Sequence, residues 1–442
     1  MGNPLEDSGN QHPKEQAGIS PPISEESTPV DPKREAATNA LNGLDANLSE
    51  KILAHPELVD TLAWMDSKGK TFSPGLYGDI KDIDPNLGNE YLVAIARKDL
   101  LPETRVDRVI GTSEANAEIA LATHRFEVLK INQAKFENER EATGEEIVMI
   151  RRAEQNVNAL RAKHGLPPVF LPPERVKMID ADSIKHSTSS HAGGIDIPTM
   201  QKDLIAGKNK QGMTTFDIIQ HELIHAGSYQ SLQHHEGSTP VDYRVGLEVK
   251  SRTRNEAGDF ESFLMPLNEA VTEENARRFV MSISENDPEL GHLATQRKKN
   301  FEEFAVLHKE HPTHIPDPSE FSDDFFGARF DQKSGTLSVD TSGYAPERKA
   351  MWGLFDKIYE KNPGAFAGKS SGEAREIMFD MATKAGLTGN ILPFGRLMND
   401  TFGRGTFHNY GHLKSAQEIE ALVSVLDRLE KKEDTTSDEV ER

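Results

Sequence analysis

His221-Glu222-Leu223-Ile224-His225 lies inside the apolar-rich segment Thr214 to Tyr229. On a helix each residue advances about 100°, so four residues return nearly to the starting face. The two imidazoles therefore stand one turn apart and can grip one metal ion. This pattern is a zinc-binding signature in which the intervening Glu works on water. Glu222 is close enough to reach a water on such an ion. Leu223 and Ile224, with Ile218 and Ile219, make the helix apolar over much of its surface. A buried helix puts His221 and His225 where imidazoles need partners. A surface helix with two histidines and a solvated Glu fits that context less well.

A catalytic zinc usually takes three protein ligands and keeps one position open. The metzincin continuation of the motif needs Gly at 228 and His at 231, where this chain has Ser228 and Ser231. His234-His235 offers one alternative, in the polar loop Gln233 to Thr239. The other is the helix opened by Leu267, which carries Glu269 and Glu273 one turn apart. Here the sequence resembles the thermolysin-like gluzincins, whose second helix carries Asn-Glu-x-x-Ser-Asp with the first Glu as third zinc ligand. Asn268-Glu269-Ala270-Val271-Thr272-Glu273 matches with Thr for Ser and Glu for Asp. The resemblance implies Glu269 on the metal, and Glu273 orienting one histidine through its other ring nitrogen. It covers two short helices. The connection from Ala226 to Asn268 is longer than in thermolysin and contains the alternating run Val241 to Lys250. The likeness is therefore to the wider gluzincin-type zincins, not to the thermolysin family proper.

That resemblance implies a zinc-dependent metallopeptidase, an endopeptidase with one Zn²⁺ per chain. Glu222 would be the general base, passing the water proton to the leaving amine. Its partner would be a peptide or protein substrate, held extended along a sheet edge. The candidate edge is Gly194, Ile195, Asp196 and Ile197, closed by Pro198. A donor for the developing oxyanion would come from beyond the second helix. Tyr344, His408 and Tyr410 are the candidates; for residues of these types packing or a loop role is the commoner one. Two other readings are a regulatory or toxin-like protease with a single protein substrate, and a non-catalytic zincin-fold binding protein. The latter has no chemical need for Glu222. His308, His311 and His314, among prolines, read as a polar loop.

The surrounding elements define an α+β fold. Residues 1–45, rich in Pro, Ser and Glu, read as a disordered arm, with Pro32 among the helix breakers. Residues 46–165 read as a helical N-terminal region. It ends in a helical hairpin: one helix from Ser113 to Glu141, a second started by Thr143 and Glu146 and ending near Gly165. Residues 166–430 form the expected zincin-like domain. It has a small mixed β-sheet before the metal helix (Val176 to Ile179, Gly194 to Ile197), further strands at Val241 to Lys250 and Thr336 to Asp340, and a mainly helical C-terminal part. The helices there are Pro266 to Phe279, Pro346 to Glu360, Glu373 to Ala385 and Ser415 to Glu430. Residues 431–442 read as a disordered charged tail.

The 442 residues carry a net charge of −21 and no cysteine. The acidic balance speaks against nucleic acid, whose phosphates want a basic face. Without cysteine there are no disulfides, thiolate zinc sites or cysteine nucleophile. No basic segment followed by an apolar one opens the chain, and no run nears the ~18 apolar residues of a membrane helix. The expectation is a soluble cytoplasmic protein with no membrane partner, although signal-less export leaves no mark in a sequence. Nothing in the sequence sets an oligomeric state.

Overall fold

The computed structural model describes residues 31–69, 74–97, 106–132, 139–140, 142–171, 173, 176–180, 195–199, 212–234, 242–254, 260–313, 315–321, 324–331 and 336–426. They form a mixed α+β, mostly helical protein with three main apolar cores. No helix among them is long and apolar enough to cross a membrane.

The first core belongs to helices α1 (Pro32–Ala40), α2 (Ala46–Leu53), α3 (Pro56–Ser67), α4 (Pro74–Ile83) and α5 (Pro85–Ile95). Helix α1 overlaps the expected disordered arm and corrects its boundary. Pro32 starts this helix: it occupies the first turn, where a missing N–H costs nothing, and the Asp31 side chain accepts from Lys33 N. Ala37 and Leu41 are then buried, and α1 packs on α3. Residues 1–30, the rest of the expected arm, lie outside the described residues, as does the charged tail 431–442.

The expected helical hairpin divides between two units. Helix α6 (Glu114–Asn132) packs on α5 and on strand β1 (Arg108–Ile110). After the short strand β2 (Glu139–Arg140), helix α7 (Gly144–Lys163) packs on α8 (Gly212–Gly227), the helix of His221 and His225. Thr143 and Glu146 form the anticipated capping box. Met149, Ile150, Ala153 and Val157 of α7 are buried with Phe216, Ile219, Leu223 and Ile224 of α8. The unit that carries the site therefore begins before residue 165. Arg161, 1 % exposed, ties the two helices by donating from Nη1 to the Gly227 carbonyl at 2.7 Å.

Strands β3 (Val176–Asp180) and β4 (Ile195–Thr199) precede α8 and pair in parallel, with β2 antiparallel to β3. Most other strands follow α8, where the sequence suggested only Val241 to Lys250 and Thr336 to Asp340. β5 (Gln230–Gln233), β6 (Asp242–Val245), β7 (Glu248–Arg254) and β8 (Phe260–Phe263) form one sheet, with β1 parallel to β5 at its margin. The single strand expected over Val241 to Lys250 is a hairpin. Its alternation runs through a turn at Gly246, whose φ of +61° favours glycine.

Helix α9 (Met265–Met281) opens the helical part and carries Glu269 and Glu273. Helix α10 (Gly291–Glu310) and strand β9 (Phe325–Asp331) were not anticipated; β9 pairs with β10 (Thr336–Thr341). His308 lies in the last turn of α10, its Nδ1 donating to the Ile315 carbonyl at 2.7 Å, so it is not a loop residue. His314 lies outside the described residues. Helices α11 (Ala345–Lys361), α12 (Ser371–Thr388), α13 (Leu392–Phe402), α14 (Thr406–Gly411) and α15 (416–426) complete the chain. They bury Met351, Leu354, Phe355, Met378 and Phe394 against Leu267, Ala270 and Val271 of α9.

Gly227 sets how closely α7 and α8 approach. A Cβ there would sit 2.3 Å from Val157 Cγ1. Gly227→Ala is expected to lower the thermal midpoint, through an overpacking penalty of about 1–3 kcal/mol. Adding Val157→Ala is expected to recover part of it. A Gly227→Ala protein as stable as wild type would refute the close approach.

Candidate metal centre

Helix α8 supplies His221, Glu222 and His225, all buried. Helix α9 packs against it and supplies Glu269 and Glu273 from one face, one turn apart. His221 Nε2 and His225 Nε2 stand 3.0 Å apart, and Glu269 Oε2 lies 3.2 Å from the first and 3.4 Å from the second. Among the described residues, this trio is the group of His, Cys, Asp or Glu that could hold a metal ion.

The spacing suits a tetrahedral cation. Bonds of about 2.0–2.1 Å from a centre give a tetrahedron with edges of about 3.3 Å. The donor chemistry fits as well. His221 Nδ1 lies 2.7 Å from Glu273 Oε2 and donates its proton there. A neutral His221 then turns the lone pair of Nε2 toward a carboxylate oxygen and another ring nitrogen. Those groups cohere around a metal ion, or around a proton carried on Nε2 of His225. His221 shows the same demand in its basicity. Burial opposes its charged form, yet hydrogen bonds to Glu269 and Glu273 outweigh burial and hold the ring well above its ordinary pKa. Burial likewise opposes an ionised Glu269, but facing His225 and His221 holds it well below the carboxylate range.

Glu273 is anchored from a third element, the segment between β10 and α11. Ser342 Oγ and Gly343 N each donate to Glu273 Oε1 at 2.6 Å. Burial would raise the pKa of Glu273, but its bonds to His221 and Ser342 take it down to about 2. Arg348 steadies this segment. Its Nε donates to the Gly343 carbonyl at 3.2 Å, and its other nitrogens reach Asp324 at 3.2 and 2.9 Å and Glu274 at 3.4 Å.

Tyr344 follows directly. Its ring stacks on His221, centroids 5.3 Å apart and planes 12° from parallel. Its backbone is left-handed, φ 48°, an unusual state for a bulky side chain and one that costs on the order of 1–3 kcal/mol. The phenol lies within electrostatic reach of Glu269. Burial and the charges of Glu269 and Glu222 raise its pKa, so it stays a protonated donor.

The other two oxyanion candidates lie elsewhere. Tyr410 is buried in the C-terminal core. His408 is exposed beside His412 and Phe263, with ring centroids 4.7 and 6.4 Å away. Of the alternative ligand pair, His234 does not join the trio, and His235 lies outside the described residues. In the candidate edge, Ile195, Asp196 and Ile197 belong to β4, an outer strand of its sheet that packs against α8. Gly194 lies outside the described residues.

Sequence reasoning missed Ser342, Gly343 and Arg348. Ser342 and Gly343 carry no local signal; about seventy residues of chain separate them from Glu273.

No protein-family model matches the chain, and neither a curated protein nor a solved structure matches it. The centre is therefore tested by direct metal analysis. Purified protein is expected to hold about one divalent ion per chain, with His221→Ala, His225→Ala and Glu269→Ala each removing it. Undiminished metal in all three variants would exclude the trio.

Proposed function

We propose that this chain is a zinc-dependent metallopeptidase of gluzincin type, hydrolysing peptide bonds with Glu222 as general base. The observation that carries the reading is the convergence of His221 Nε2, His225 Nε2 and Glu269 Oε2 at tetrahedral spacing. Two neutral imidazoles and a carboxylate are a hydrolytic zinc's donor set, not one for a hard ion such as magnesium, which prefers oxygen ligands.

Bound there, zinc would supply a Lewis acid for a carbonyl and acidify a water toward neutral pH. The chain's residues supply the rest. Glu222 accepts the proton of the attacking water and returns it to the departing amine. Its position supports this role: it follows His221 directly, is buried, and its charge reaches the Tyr344 phenol. Glu273 fixes the tautomer of His221 by accepting from Nδ1, leaving Nε2 to face the centre. Tyr344, protonated and partly exposed, is the donor in reach of an oxyanion. β4, an outer strand lying against α8, offers backbone groups to an extended peptide.

Two variants test these roles. Glu222→Gln is expected to retain zinc but lose hydrolysis of a peptide library by about 10²–10⁴-fold, the contribution of a positioned acid–base group. Tyr344→Phe is expected to lower kcat by up to about 10²–10³-fold with little change in KM, as for loss of one oxyanion donor. Full activity in Glu222→Gln would exclude it as the base, and an unchanged kcat in Tyr344→Phe would exclude the phenol.

A further inference from the structure

Asp324 and Arg348 form an ion pair to which the proposed chemistry gives no part. Asp324 stands just before β9, and Arg348 lies in the first turn of α11. Arg348 Nη1 and Nη2 reach the two Asp324 oxygens at 3.2 and 2.9 Å, one nitrogen to each oxygen. Such a fork fixes orientation as well as distance. The segment Ser342 to Tyr344 is caught between the two residues. Ser342 N donates to the Asp324 carbonyl at 3.0 Å, and Arg348 Nε donates to the Gly343 carbonyl at 3.2 Å.

These bonds bear on Tyr344 in particular. The Gly343 carbonyl belongs to the peptide plane that leads into Tyr344, and the Tyr344 carbonyl to the plane that leads out. Arg348 holds both, the first through Nε and the second through its backbone N at 2.9 Å. Two held planes define the φ and ψ between them, here the left-handed state with φ 48°. A bulky residue keeps that state only where its neighbours over-determine it. In an extended or right-handed backbone the Cα–Cβ bond would leave in another direction and carry the ring off His221, on which it now stacks. Glu273 does not supply this hold, because it bonds Ser342 Oγ and Gly343 N and neither carbonyl beside Tyr344.

We propose that the Asp324–Arg348 pair positions Tyr344 for hydrolysis: the fork fixes Arg348 on the Gly343 carbonyl, and so fixes the left-handed backbone that lays the phenol over His221. The inference rests on the reading of the chain as a metallopeptidase with Tyr344 as a donor. Both residues act through Tyr344 and not on the substrate.

The test measures kcat, KM and zinc content of full-length proteins, with the best-cleaved member of the peptide library as substrate. Far-ultraviolet dichroism confirms folding. Arg348→Met removes the fork and the bond to Gly343. Glu274 keeps Arg277 and Arg278 at 2.8 Å each, and Asp324 keeps Arg277 at 3.7 Å, so neither carboxylate is left without a cation. The variant is expected to retain about one zinc per chain, since the ligands stand on α8 and α9. Its kcat is expected to fall by up to about 10²-fold with little change in KM, the order of loss when a catalytic group is slightly misplaced. Asp324→Asn weakens the same fork and is expected to lose kcat to a smaller extent. A merely structural role would not produce coupling. Added to Tyr344→Phe, Arg348→Met is expected to cost no more than about threefold further, because the group it positions is already gone.

A folded, zinc-loaded Arg348→Met protein with wild-type kcat overturns the inference. So does a loss of kcat as large in the Tyr344→Phe background as in wild type. Should the methionine variant not fold, Arg348→Lys takes its place under the same criteria, because it keeps the charge and loses the fork. Wild-type protein that cleaves no peptide overturns the proposed function and the inference with it. An active wild type with an unaffected Arg348 variant removes the role of the pair alone.

Discussion

Glu269 and Glu273 are buried one turn apart on α9, and neither could be ionised there without positive charge or donors facing it. The local architecture answers that need. Helix α8 turns two imidazoles toward the pair. The segment after β10 brings a hydroxyl and a backbone N–H to Glu273 Oε1. Arg348, buried between Glu274, Asp324 and the Gly343 carbonyl, holds that segment in register with α9. The same acidity that would destabilise an empty core makes this one receptive to a cation.

The site is stiff around His221 and Glu273 and exposed at Tyr344. His221 is clamped by Glu273 on one nitrogen and covered by the Tyr344 ring on one face. The left-handed backbone of Tyr344 persists because its neighbours fix it: Gly343 bonds Glu273, and Arg348 N bonds the Tyr344 carbonyl at 2.9 Å.

Much of this was legible wherever the signal was local. The i, i+4 spacing of His221 and His225, and that of Glu269 and Glu273, follows from helical geometry alone, and both helices stand where that geometry put them. Thr143 and Glu146 announced a helix start for the same reason. Readings failed where one residue type serves two geometries. Pro32 breaks a helix interior but begins α1, and Gly246 sits within an alternating run but turns it into a hairpin. Ser342 and Gly343 were invisible because only folding brings them to Glu273. Apolar content marked α7 as a helix, but its partner, α8 and not α6, depends on which faces are complementary.

Helix α9 is shared between two cores. Leu267, Ala270 and Val271 near its start are buried with α11 to α15, while Ala276 and Val280 near its end join the core of α7 and α8. Glu269 lies within the first set and Glu273 between the two. A cation bridging His221, His225 and Glu269 would therefore be bound by both cores at once, and its binding free energy would oppose the opening of either. In thermodynamic terms the ion would be a cross-link: two bodies of side chains that could melt separately would melt together, at a temperature that rises with free metal concentration.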